Sequence, residues 1–243
     1  MQDFKKIPKK YQPKGYEILY EDLDLFVGNK SAGFLTVAAL WNDKDTIHSA
    51  LNDFVRKGNA RSRKEVYVVH RLDQYTSGVL IFAKSENVQY YLKENWKSTV
   101  KHYYAIVHGK LAKKNGTITS YLEEDEDYKV HSNQAGAGKL AETEYQVLKE
   151  TQHFSLIKIN LLTGRKNQIR VHMADLGHPV VGDPKYGTKD MKKHHQLALH
   201  ASTIEFTHPH SKKRIKFTAA PPKFFVSLVD YEYAEPEDQE ETE

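Results

Sequence analysis

The pattern of apolar and polar positions along this chain is strand-like in more windows than it is helical, with clear alternation at Phe154–Leu162. Tyr16–Leu19 and Leu25–Val27 flank an acidic turn, Glu21–Asp24. Lys30-Ser31-Ala32-Gly33 and then Phe34–Val37 follow, so the pattern predicts a β-meander with Gly33 at a turn. Ile47, Leu51 and Val55 recur every four residues and predict a helix over 46–56, capped by Thr46. Val66–Val69 and the wholly apolar Gly78–Ala83 read as strands, the second buried on both faces. Asn87–Trp96 reads as a helix. His102–Val107, Thr117–Leu122, Ala141–Leu148 and Phe154–Leu162 read as strands. Gln168–Leu176 is a helix closed by Gly177. Leu197–Phe206 and Arg214–Phe217 read as a hairpin across His208-Pro209-His210. Strands outnumber helices without regular alternation, which gives an α+β fold with a central, mixed and largely antiparallel sheet flanked by helices and loops.

Three segments follow: a loose leader (1–15), one domain (16–229) and a disordered acidic tail (230–243). The 243 residues include 36 Lys+Arg against 32 Asp+Glu, a net charge of +4. The tail carries eight acids and no base, so residues 1–229 carry +12. A basic body of this size fits a polyanion, most simply nucleic acid, although a solubilised surface has the same signature. Cysteine is absent, which rules out disulfides, thiolate metal sites and cysteine nucleophiles. No apolar run approaches the roughly 18 residues of a membrane helix, and the first residues lack a signal-peptide core; a cytoplasmic protein is expected.

Two polar clusters could carry chemistry. His70-Arg71-Leu72-Asp73-Gln74-Tyr75-Thr76-Ser77 lies between two apolar strands and contains one carboxylate, Asp73. Asp73 either works chemically or caps its own loop. Thr163-Gly164-Arg165-Lys166-Asn167-Gln168-Ile169-Arg170-Val171-His172 joins a strand to a helix N-terminus, where unpaired N–H groups attract anions. Arg165, Ile169 and His172 share one predicted face, and Arg170 points elsewhere. This stretch suits phosphate contact, pairing with a carboxylate, or an ordinary solvated face. The thirteen histidines include no HExxH pair, and no glycine-rich nucleotide loop is present, so neither metal nor cofactor is expected.

The clusters resemble the RluA-type pseudouridine synthases. HRLDQYTSGVLIFAKS (70–85) resembles that family's HRLDxxTSGLLxxAK. NKSAG (29–33), KHYYAIVHG (101–109), TGRKNQIRVHMADLGHPVVGDPKYG (163–187) and LALHASTIEFTHP (197–209) follow in family order, over roughly residues 16–225. The resemblance implies the pseudouridine synthase catalytic fold, without the N-terminal S4-type RNA-binding domain that many relatives carry. It implies an isomerase that converts specific uridines of structured ribosomal or transfer RNA by base flipping. Asp73 would be the catalytic aspartate, Tyr103 would stack on the uracil, and Arg170 would pair with Asp73. Arg71 would fill the gap in the RNA stack, and His70, Arg165, Lys166 and Gln168 would contact RNA. Ser31 stands where the family has Pro, and Lys166-Asn167 where it has Thr-His. The isomerisation is redox-neutral, so no cofactor is implied.

Loops 58–65, 123–139 and 185–195 are candidate RNA contacts. No heptad pattern predicts a dimer, so a monomer is expected. Two rival readings stay open: an RNA-binding module of the same fold, and a metal-dependent hydrolase using the histidines.

Overall fold

The computed structural model describes residues 7–39, 45–59, 61–133, 136–187, 194 and 196–233. The acidic tail beyond Tyr233 and much of the 185–195 loop lie outside them. In chain order the strands are β1 (Tyr16–Glu21), β2 (Leu25–Lys30), β3 (Tyr67–Val68), β4 (Ser77–Ala83), β5 (Val100–His108) and β6 (Asn115–Glu124). They continue as β7 (Val130–Asn133), β8 (Lys139–Glu150), β9 (Phe154–Leu161), β10 (Leu199–Thr207) and β11 (Arg214–Thr218). The helices are α1 (Ile47–Arg56), α2 (Glu86–Glu94), α3 (Gln168–Asp175) and α4 (Lys223–Val229). This is the α+β class expected, and none of these helices is long and apolar enough to cross a membrane.

The chain divides into two compact units. The first runs to Thr99 and takes up Thr203–Ala219; the second is Val100–Ser202 with the segment from Ala220. In the first, β2 pairs antiparallel with β1 and β4, and β10 with β11. Every residue of β4 is buried, as its unbroken apolar run predicts. Val79, Ile81 and Ala83 face a core with Leu25, Val27, Leu92, Ile204 and Phe217. On the opposite face Phe82 meets Tyr16 edge-on and stacks with His48 of α1. The N-cap expected at Thr46 is formed, and as a full capping box, its hydroxyl accepting from Ser49 N at 3.0 Å. In the second unit β5-β9-β8-β6-β7 is an antiparallel run. Its core gathers Ala105, Ile157, Ile159, Ile169, Met173 and Phe225.

The structure departs from the predicted elements in four places. Phe34–Val37 makes no strand; only an isolated parallel bridge joins Leu35 to Thr46. The segment is held by side chains instead: Thr36 Oγ1 donates to Leu72 O at 2.9 Å and accepts from Leu72 N at 3.2 Å. The region between β6 and β8 holds β7, whose polar sequence Val-His-Ser-Asn carries no alternation to read. Helix α4 also had no predicted counterpart. Finally, α3 begins at Gln168, so Arg165 precedes it, and Ile169, Arg170 and His172 are all buried.

A close approach in the first unit fixes one residue type. Tyr16 lays its ring over Gly28 and donates from its hydroxyl to Leu80 O at 2.7 Å. A Cβ on Gly28 would sit 2.4 Å from that ring and 2.6 Å from Glu17 O. Gly28→Ala is therefore expected to cost about 1–3 kcal/mol through overpacking, read as a lower denaturant midpoint with an unchanged slope.

Candidate active site

The loop between β3 and β4 carries His70, Arg71 and Asp73, all in the first unit. Its backbone is tied at several points. Gly33 N donates to Gln74 O at 2.9 Å, and the Gln74 side chain returns a bond to Gly33 O at 3.1 Å. Thr76 N closes the turn onto Asp73 O at 3.1 Å. His70 Nε2 accepts from Ile81 N at 3.1 Å, which places its ring proton on Nδ1, and the ring packs on Trp96. Arg71 is exposed and Asp73 half-buried. Tyr75, on the same turn, is 46% exposed.

Lys30 stands beneath this loop. Its side chain is wholly buried, and Nζ donates to Ser31 O (3.0 Å), Phe34 O (2.8 Å) and Gln74 O (2.9 Å). Burial pushes the ammonium down to about 7, and the Asp73 carboxylate opposes part of that fall. The sequence reading gave Lys30 no role. Its only signal is a charged residue that ends a strand opening Leu-Phe-Val, just before a glycine turn.

Tyr103, Arg165, Lys166, Gln168 and Arg170 lie in the second unit. Tyr103 of β5 pairs with Ile159, on the sheet face shared with Tyr145, Thr143 and Leu161. Helix α3 covers that face, since His172 bonds Thr143 and Ser120. Gln168 is turned inward. Its carbonyl accepts from the Thr163 hydroxyl (2.8 Å) and Arg165 N (2.9 Å), and its amide donates to Glu142 O (3.0 Å) and Thr143 Oγ1 (2.9 Å). An RNA contact from Gln168 would first break these bonds; here it fixes the turn into α3. Arg165 donates from Nε to Leu140 O at 2.9 Å, and Lys166 meets Glu124.

Arg170 is 7% exposed and its guanidinium is held flat. Nε and Nη2 grip the two oxygens of Asp183 at 2.7 and 2.8 Å, a bidentate pair. Nη1 donates to Asn167 Oδ1 at 2.8 Å, and the group lies 5.2 Å from the Tyr186 ring centroid. Asn167 adopts a left-handed backbone (φ 54°), which asparagine tolerates better than most residues. Burial would raise the Asp183 carboxyl, but Arg170 and the amides of Tyr186 and Lys185 outweigh it and hold it below the usual range. Asp183 and Asn167 stand within the 163–187 motif, yet nothing in the sequence reveals that they grip Arg170.

Two other clusters are structural or separate. Asp22, Asp24 and His208 are the one group of metal-ligand type among the described residues. His208 Nδ1 accepts from His210 N and Ser211 N, so Nε2 carries the proton and donates to Asp22 at 2.7 Å. This is a clamp between two turns of the first unit. An open cleft of about 360 Å³ in the second unit is lined by His102, Asn115, Glu144, Tyr145, Lys158 and Asn160 and includes none of the expected site residues.

The first unit carries a carboxylate on a fixed turn and the second a clamped arginine on a helix, and comparison with known proteins identifies the kind of protein. The family model described as RNA pseudouridylate synthase matches residues 24–175. An RNA pseudouridine synthase of Mycoplasma pneumoniae is 35% identical over 235 residues, covering 93% of this chain and 74% of its own. The ribosomal large subunit pseudouridine synthase D of Blochmanniella floridana is 32% identical over 229 residues, covering 87% and 71%. The solved human RNA pseudouridylate synthase domain containing 4 shares the fold, with a TM-score of 0.71 at 24% identity, over 86% of this chain and 90% of that one. The chain belongs to the RNA pseudouridylate synthase family. It is accordingly an isomerase whose substrate is RNA.

The buried His172 makes stability acid-sensitive. Burial lowers its pKa from 6.5 to about 4, with Asp175 opposing in part. Above pH 6.5 the ring is neutral in both folded and unfolded chains. Between 6.5 and 4 only the unfolded chain takes up the proton, so stability falls with pH, by up to about 3 kcal/mol. Urea titrations across this window should show that loss in the native protein and a smaller one in His172→Gln, which keeps a hydrogen-bonding group but does not titrate.

Proposed function

We propose that this synthase isomerises specific uridines in structured ribosomal or transfer RNA through Asp73, after the target base leaves the stack. The N1–C1′ bond breaks, the uracil turns, and a C5–C1′ bond forms; the C5 proton is lost and N1 regains one. Positive charge develops at C1′. An ionised carboxylate there can trap that carbon covalently, or it can take the C2′ proton to give a glycal. The observation that carries this reading is the setting of Asp73: half-buried, on a turn tied through Gly33 and Gln74, with a buried ammonium acting on it.

The remaining roles are those the family resemblance implies: Tyr103 stacks on the flipped uracil, and Arg170, pre-set by Asp183 and Asn167, is the proposed partner of Asp73. Arg71, exposed on the same loop, fills the space the base leaves, which recovers part of an unstacking cost of a few kcal/mol. His70, Arg165 and Lys166 lie along the RNA path. The relatives named for the large ribosomal subunit favour ribosomal RNA as substrate. We place the reaction in the cytoplasm, carried out by a monomer without cofactor.

Mapping pseudouridine in RNA from cells deleted for this gene, after treatment with purified protein in EDTA, tests the reading and names the substrate. New sites are expected with the native protein and none with Asp73→Asn, while RNA binding is retained. An active Asp73→Asn enzyme would remove Asp73 from the mechanism. Intact RNA binding with no new sites from the native protein would favour an RNA-binding module.

A further inference from the structure

The hairpin of β6 and β7 ends in Glu123-Glu124-Asp125-Glu126-Asp127-Tyr128-Lys129, an acidic turn in a basic enzyme. The turn is well built. Asp125 Oδ1 accepts from Lys129 N at 2.8 Å, Tyr128 N donates to Asp125 O at 3.0 Å, and Tyr128 takes a left-handed backbone (φ 57°). The hairpin is also anchored beside the arginine helix. Val130 N donates to the Tyr186 hydroxyl at 3.1 Å, the same hydroxyl that receives Asn167 Nδ2 at 3.2 Å. Ser132 Oγ donates to Asp175 at 2.5 Å.

This anchoring sets the acidic turn against two cations. The Glu124 carboxylate contacts Lys166 Nζ, which also lies 5.6 Å from the Tyr128 ring centroid. Lys185 Nζ donates to Tyr128 O at 2.6 Å. Burial and the charges of Lys166 and Arg170 pull the Lys185 ammonium below its ordinary value, while Asp125 and Glu124 push back. Lys166 and Lys185 thus converge here near Arg170, which has its own counter-ion in Asp183, and the hairpin supplies the acids that face the two lysines. RNA phosphates would compete for the same ammonium groups.

We propose that Glu124 is a specificity-determining residue: it holds Lys166 in an ion pair that an RNA phosphate must break. RNA that docks with the rest of the site recovers that cost, and RNA that meets only the basic surface does not. This rests on the RNA-isomerase reading and adds a means of rejecting wrong RNA. The pair is about 40% exposed on each side, so the penalty is small but applies to every encounter.

Binding of a short oligouridylate across a salt series tests it, comparing native protein with Glu124→Gln, Glu126→Gln, Lys166→Met and Glu124→Gln/Lys166→Met. Glu126 is an exposed acid on the same turn, so it controls for net charge. Glu124→Gln is expected to bind about twofold to fivefold tighter at low salt, with a log–log salt slope steeper by about 0.7, the value of one more phosphate contact on a single strand. Glu126→Gln should gain less and keep the native slope, and the Glu124→Gln gain should vanish in the Lys166→Met background. Equal gains from the two acids, or a gain that persists without Lys166, overturn the proposal while leaving the isomerase reading intact. No RNA binding by the native protein overturns both.

Discussion

An ammonium group with no path to water must be surrounded by acceptors, and Lys30 meets that demand with three backbone carbonyls. The cost of leaving it unsatisfied is high enough to dictate the conformation of everything it touches. The end of β2, the turn through Ser31 and Phe34, and the residue after Asp73 are drawn to one point in space. The bond to Gln74 O spans 44 residues in sequence and extends, beyond the last β2–β4 pair at Lys30 and Gly78, the hold on the loop. The loop can then remain polar and irregular, as chemistry requires, without becoming loose.

The second unit solves a related problem differently. Arg170 is buried with a carboxylate of matching geometry, and Asp183 has its own backbone donors. Nearby His172 is buried uncharged between two hydroxyls. A charge, an ion pair and a neutral ring each satisfy the same rule about polar groups in low dielectric. The aromatic ring and hydroxyl of Tyr186 join two of these features, since it lies under Arg170 and also receives Asn167.

Local rules made much of this legible in advance. Helix α1 announced itself by Ile47, Leu51 and the Thr46 cap, and β4 by an apolar run too short for a helix. Gly177, with φ 80°, ends the α3 segment as its type suggests. The failures share a cause. Phe34–Val37 has strand-like composition, but long-range side-chain bonds hold it, and such bonds leave no periodic trace. Polar β7 borrows its order from its neighbours. Asp73 and Arg170 stand within motifs that resemble those of the family, whereas the contacts of Lys30, Asp183 and Asn167 depend on three-dimensional neighbours that spacing alone does not predict.

The path of the backbone through the two units has a consequence for how the protein is made. The first unit leaves off at Thr99 and resumes at Thr203, inside β10, and the second completes itself only after Ala220. At ordinary elongation rates of about 5–20 residues per second, the opening two-fifths of the nascent chain waits roughly 5–20 s for its missing strands to emerge from the ribosome. Throughout that interval the apolar faces of β2 and β4 lack β10 and β11. During synthesis, then, apolar strand faces stand uncovered until the later segment arrives.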